Sequence, residues 1–317
     1  MKKLSALLLA IPLALFITIA NTTKAFGQAG GGQQAAQGQV DERKAYSALT
    51  ACNDEKDFAK KLQMAKEALA LYPGSQYIPY FKQQVDVARG GLLQQAQKDD
   101  KPDEVFKIGD EILADDPENL NVLLLLSQIT WEQARKKNYS LAAQGANKYT
   151  TKSLELIGAN KKPASIDDAQ WGQRRPVVLG ILHQTKGMIL LNDKKTDEAL
   201  NELGESVKNN CAEPYTYLLI FPVYQEKYNT ISEEYNKLSD DEKVGENGKA
   251  ALAKVDAAAD ELIAAYAKFI AFSEGKQGYE NIRGKVQPLL NDLYKYRNKD
   301  NPDGVKAYID NIKSGCK

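Results

Sequence analysis

Residues Asp103–Ser127, DEVFKIGDEILADDPENLNVLLLLS, decide the fold. Val105, Ile108 and Ile112 recur at helical spacing, with Phe106 and Leu113 beside them, so the first half is an amphipathic helix with one apolar face. Pro117 ends it, because proline lacks an amide donor and restricts the residue before it. A second helix opens at Leu120, and its unbroken run Val122–Leu126 needs cover on most sides. Neither helix can bury its apolar surface alone. The stretch is therefore a seam, the return helix of one hairpin followed by the outgoing helix of the next.

Working outward, the same unit recurs. Phe58, Leu62, Ala65, Leu69 and Tyr72 form one helical stripe that stops at Pro73-Gly74, and Asp41 to Ala51 supplies its partner. The next hairpin climbs through Tyr77, Tyr80, Phe81 and Val85 to about Gln97, turns at Lys98–Lys101, and returns from Pro102 as the opening stretch. Downstream, Leu120–Ala134 is closed by Arg135, Lys136 and Lys137, three cations that offset the macrodipole. Its return helix carries Ala142, Ala146, Tyr149 and Ile157.

After a linker at 160–164, Ser165-Ile166-Asp167-Asp168 resembles a capping box and predicts another helix start. Pro176 is expected to kink or split that helix before Leu191, and Thr196 to cap the return helix Asp197–Asn209. From Pro214, the aromatic stripe Tyr217, Phe221, Tyr224 and Tyr228 is either core against Leu200 and Leu203 or a recognition surface. Pro222 should bend this helix. An acidic loop is expected at Ser239–Gly248. It leads into an alanine-rich helix with Leu252, Val255, Ala259, Leu262, Tyr266 and Phe269 along one side. Two closing helices, about Tyr279–Arg297 and Val305–Lys313, would cap the array with polar outer faces. No stretch reads as a strand, so the class is all-α.

The chain starts with Met1-Lys2-Lys3, an apolar run Leu7–Ala20, and small residues at Ala25, Gly27 and Ala29, the pattern of a secretory signal peptide. The run of about 14 residues is shorter than the ~20 that span a bilayer, so no integral span is expected once it is cleaved. The expected organisation is a signal peptide at 1–27, a Gly/Gln/Ala tether at 28–40, a hairpin array at 41–273 and capping helices at 274–317. Net charge is zero over the whole chain. Residues 1–40 hold three lysines and no acids, which leaves the remainder near −3 and argues against nucleic acid as partner. Cys52, Cys211 and Cys316 match no metal-ligand spacing, and in an oxidising compartment any of three pairings is open.

Helix pairs recurring at roughly 34 to 45 residues point to a solenoid, and the details resemble the tetratricopeptide repeat (TPR) family. The small residues Ala65 and Ala68 before Pro73 match its second helix and exit. Leu123, Leu126 and Ser127 follow the exit Pro117 at the family's spacing, and Gly187, Ala199, Leu203 and Ser206 match in a later unit. Small residues at those places let paired backbones approach closely. The family's leading Trp is absent, Val105 stands for an Ala, and Cys211 takes the place of a Pro. The resemblance implies an α-solenoid whose first helices line a concave, partner-binding groove. It assigns to that groove Asn121, Leu124, Gln128, Trp131 and Glu132, then Ile181, Gln184, Met188 and Asn192, then Tyr215 and Leu218.

Chemistry is harder to find. His183 is the only histidine and lies in a helical pattern, and HExxH, CxxC and Walker-type loops are absent. The acid pairs Asp115-Asp116, Asp167-Asp168 and Asp240-Asp241 sit at helix ends or in loops, where capping and solvation account for them. No cofactor or metal is expected. The reading is an exported, noncatalytic scaffold that binds a protein or peptide partner, with Trp131 as the leading contact. A component of an envelope-assembly or secretion complex is the first alternative, and a receptor for a glycan or peptide is the second.

Overall fold

In a computed structural model the described residues are 41–298 and 304–316; the expected signal peptide and tether lie outside them. Every element among the described residues is helical and none is a strand. Two compact units emerge: one holds the described residues up to Ile129 together with Glu155–Asp167, the other Thr130–Leu154 and the residues from Asp168 onward.

The first unit is built from α1 (Glu42–Asp54), α2 (Phe58–Leu71), α3 (Ile78–Lys98), α4 (Pro102–Asp115) and the first turns of α5 (Leu120–Arg135). Asp41 and Asp57 start α1 and α2 by accepting from the amides of Lys44 (3.1 Å) and Lys60 (3.0 Å), which satisfies donors a helix start leaves orphaned. Cys52, Ala65 and Val85 share one buried cluster, and Leu49, Ala68 and Phe81 another. The expected seam forms. Gly109 on α4 leaves room for Leu126 of α5, since a Cβ there would stand 2.6 Å from the leucine methyls. All of Val122–Leu126 is buried. Gly91 does the same for the Phe58 ring, at 2.4 Å.

In the second unit α5 ends at Arg135, and α6 (Tyr139–Gly145) runs into a five-residue π-helical turn, Ala146–Thr150, before α7 (Thr151–Gly158). The long α8 (Asp168–Asn192) pairs with α9 (Thr196–Asn209). A Cβ on Gly187 would meet Leu203 at 2.7 Å, and one on Gly180 would meet Asn210 at 2.7 Å. The pairing 187 with 203 and 180 with 210 makes the hairpin antiparallel. Glycine appears where the backbones are closest.

Several local expectations are corrected. Pro176 does not split α8, which runs on through it, and α10 (Pro214–Asn236) likewise continues through Pro222 rather than being interrupted there. Ser165 does not cap α8; its hydroxyl donates to Asn121 Oδ1 at 2.7 Å. Thr196 is the first residue of α9 rather than its cap, which is Lys195 without a side-chain bond. The expected acidic loop contains a true capping box, with Ser239 and Glu242 bonded reciprocally, and forms the short α11 (Asp240–Val244).

The remaining helices, α12 (Glu246–Ser273), α13 (Glu280–Arg297) and α14 (Gly304–Gly315), gather around α12. Tyr217 of the α10 stripe is core, Phe221, Tyr224 and Tyr228 pack half-buried against the same cluster, and the aromatic partners are on α12. Phe221 lies 5.3 Å from Tyr266 and 5.7 Å from Phe269, and Tyr217 stacks on Phe272 at 5.8 Å. Helices α13 and α14 do more than cap, because Val286, Leu290, Val305 and Ile309 enter the same core. Cys211 and Cys316 form a disulfide, tying the turn before α10 to the end of α14, while Cys52 is a buried free thiol. No helix among the described residues is long and apolar enough to cross a membrane.

Candidate recognition site

Trp131 and Arg135 stand one turn apart on α5, so their side chains share a face. The Arg135 guanidinium lies 4.7 Å from the centre of the Trp131 ring and 4.3 Å from that of Tyr215, at the start of α10. Cation–π attraction favours this packing of a delocalised cation on aromatic faces. Burial pushes the Tyr215 hydroxyl above its ordinary range, with the Arg135 charge opposing the shift. Glu213 places Tyr215 by accepting from its amide at 3.0 Å, and Pro214 supplies a first-turn residue that needs no donor.

A buried polar chain holds this face in position. Trp131 Nε1 donates to Gln184 Oε1 at 2.6 Å, and Gln184 Nε2 donates to Thr216 Oγ1 at 2.7 Å. Ser206 lies 3.3 Å from the Thr216 hydroxyl and donates to the Gly180 carbonyl at 2.8 Å. One chain of bonds thus spans α5, α8, α9 and α10. A buried amide satisfied at both ends rigidifies its surroundings, whereas a half-satisfied one would cost about 1–3 kcal/mol. Beneath it, Met188, Ile189, Ala134, Ala142 and Ala146 form an apolar floor against which Trp131 and Tyr215 rest.

Of the eleven residues expected to line the groove, Trp131, Gln184, Met188 and Tyr215 meet here, and Ile181 is half-buried on α8. Their roles differ from the expectation. Gln184 and Met188 are buried and support the site from below; Leu124 is buried in the seam. None of these three can meet a partner directly. Trp131 and Tyr215 are half-buried, as are Glu132 and Gln128. Asn121 is half-buried and accepts from Ser165, Leu218 packs on the α10–α14 core, and Asn192 is exposed at the end of α8. The side chain that sequence reasoning passed over is Arg135, assigned there to the macrodipole alone. Its signal was present: an arginine four residues after a tryptophan on one helix.

A separate cleft of about 720 Å³ lies along α8 and α9 and reaches the π-helical turn. In its wall Glu202 accepts from His183 Nδ1 at 2.7 Å and also pairs with Lys186. Burial pushes the Glu202 carboxyl up, but the bonds from His183 and Lys186 outweigh it and hold the group below its usual range. The His183 bond therefore goes to a carboxylate rather than to a hydroxyl or thiol. Among the described residues no set of three or more His, Cys, Asp or Glu side chains is grouped to hold a metal ion.

Comparison with known proteins finds no matching family model, curated protein or solved structure.

Proposed function

We propose that this chain is an exported, noncatalytic interaction scaffold of TPR-like helical hairpins, and that it captures a protein or peptide partner on the Trp131–Arg135–Tyr215 stack. The observation that carries the reading is the stack itself. Tryptophan, tyrosine and arginine dominate the energetically important positions of protein interfaces, and here all three are half-buried on one rigid face. The polar chain through Gln184 lowers the entropy such a surface loses on binding. The α8–α9 hairpin supports the repeat reading, because Gly187 closes on Leu203 where the resemblance expects a tight helix pair. The Cys211–Cys316 bond supports export, since such bonds persist in oxidising compartments.

The test is a crosslinking pull-down from the native host comparing wild type with Trp131→Ala. Loss of one specific partner, with helical content retained and stability lowered by no more than about 1–3 kcal/mol for the broken Gln184 bond, supports the reading. Global unfolding of the variant would show that Trp131 is core.

A small-ligand receptor is the second reading, and the α8–α9 cleft is what favours it. Thermal-shift screening against glycans and short peptides checks it. A uniformly flat response would remove it.

A further inference from the structure

The Arg135 stack has a chemical preference, and the inference below rests on the scaffold reading above. Among the described residues Arg135 forms no ion pair. Its guanidinium carbon lies over the Trp131 and Tyr215 rings, and among the described residues only the Tyr215 hydroxyl draws on its five donors. A guanidinium without an anion is an uncommon arrangement beside two half-buried aromatics, since its fork geometry fits a carboxylate in bidentate fashion.

Tyr279 supplies a second, independent observation. It is 6% exposed, and among the described residues its hydroxyl has no hydrogen-bond partner. Buried hydroxyls are nearly always bonded, so this one points to a missing acceptor. The electrostatic neighbours of that hydroxyl are Glu213, Arg135 and Tyr215, the residues of the stack and its support. The orphan hydroxyl thus lies in the electrostatic surroundings of the Arg135 guanidinium, which is the group an incoming carboxylate would pair with.

We infer that the stack receives an acidic side chain of the partner, a glutamate or aspartate next to an apolar residue that covers Trp131. Charge complementarity carries the choice: Arg135 ends α5 and Lys136 and Lys137 follow it in the turn, a basic corner whose innermost member has no ion-pair partner among the described residues. Glu213 narrows the choice further. One of its oxygens already accepts from the Tyr215 amide, and its charge stands near the site, which disfavours a phosphate dianion more than a singly charged carboxylate. The exposed part of half-buried Trp131 supplies apolar area for a neighbouring residue, so a peptide fits better than a free small acid.

The test uses the full chain in a Trp171→Phe background, which leaves Trp131 as the sole tryptophan reporter. The probes are two hexapeptides with acetyl and amide ends, one with a glutamate between two leucines, the other with glutamine in its place. Saturable change in Trp131 emission by the glutamate peptide, at least about tenfold tighter than by the glutamine peptide, is expected for a charge-assisted bond. Arg135→Gln should weaken that binding about tenfold or more while leaving helical content unchanged, with Arg135→Lys intermediate because the ammonium keeps charge but not the fork. Three outcomes would overturn the inference: equal affinity for both peptides, no saturable response to the glutamate peptide up to about 10 mM, or displacement of the peptide by inorganic phosphate at comparable concentration. The scaffold reading fails separately. If the native partner is lost with Trp131→Ala but kept with Arg135→Gln, the scaffold stands and the acidic contact does not.

Discussion

The helices of α1–α4 and those of α10–α14 solve the same burial problem by opposite means. In α1–α4 the contacts are small: Ala65, Ala68, Gly91 and Gly109 let neighbouring helices close on one large residue each. In α10–α14 the contacts are large: Tyr217, Phe221, Tyr266, Phe269 and Tyr279 fill the space between helices, and a disulfide fastens the last one. Small-residue contacts leave little tolerance for added atoms. An aromatic core tolerates little removal. The two regions should therefore respond oppositely to enlargement and truncation.

The largest effect expected is from the disulfide. It closes a loop across a separation of 105 residues, and restricting the unfolded chain by that much is worth about 4–5 kcal/mol in the chain-entropy description. Urea unfolding of Cys211→Ser with Cys316→Ser should show a loss of that order. An unchanged midpoint would mean that Val305 and Ile309 hold α14 without the bond. Truncation of the aromatic core comes next. Phe269 is fully buried, and Phe269→Ala should cost about 3–5 kcal/mol by calorimetry or chemical unfolding.

Enlargement separates the regions. Gly109→Ala pushes a methyl to within 2.6 Å of Leu126, and overpacking of that kind costs about 1–3 kcal/mol even against the helix-propensity gain. Gly204→Ala on α9 is the matched control, because a Cβ there meets nothing within 4 Å and should stabilise by about 0.5–1 kcal/mol. If both glycines respond alike, propensity rather than the seam governs the first region.

The smallest effect is acid sensitivity of the α8–α9 pair. The Glu202 carboxyl is held below its unfolded value, 4.5, by His183 and Lys186 against the upward push of burial. The folded state therefore binds fewer protons at this group, so its stabilisation is present above that value and is lost as pH falls through the depressed one. Glu202→Gln should flatten stability against pH over that acid range. An unchanged acid limb would assign the sensitivity to other carboxylates.

Much of the fold was legible because helical periodicity is a local property. The stripes at Phe58–Tyr72 and Val105–Leu113 and the stops at Pro73 and Pro117 each need only a turn or two of chain. Caps were read less well, although the information was there: Ser239-Asp240-Asp241-Glu242 has the Glu at N3 that Ser165-Ile166-Asp167-Asp168 lacks. Tyr215 came from the family resemblance alone, and Trp131 stood out as a large amphipathic residue. The burial of Gln184 and Met188 did not, since a glutamine on a helix looks exposed until its two partners are found on other helices.

By itself the sequence determined that this chain is helical, where its seam lies, and that Trp131 stands next to it, because apolar spacing and proline punctuation act over a few residues. Tertiary structure alone decided that Cys211 pairs with Cys316, that the α10 stripe packs on the core, and that Arg135 rests on Trp131 and Tyr215 without a carboxylate partner among the described residues. Those outcomes join residues tens to a hundred positions apart, and only packing of distant surfaces against one another selects among the pairings that local spacing leaves open.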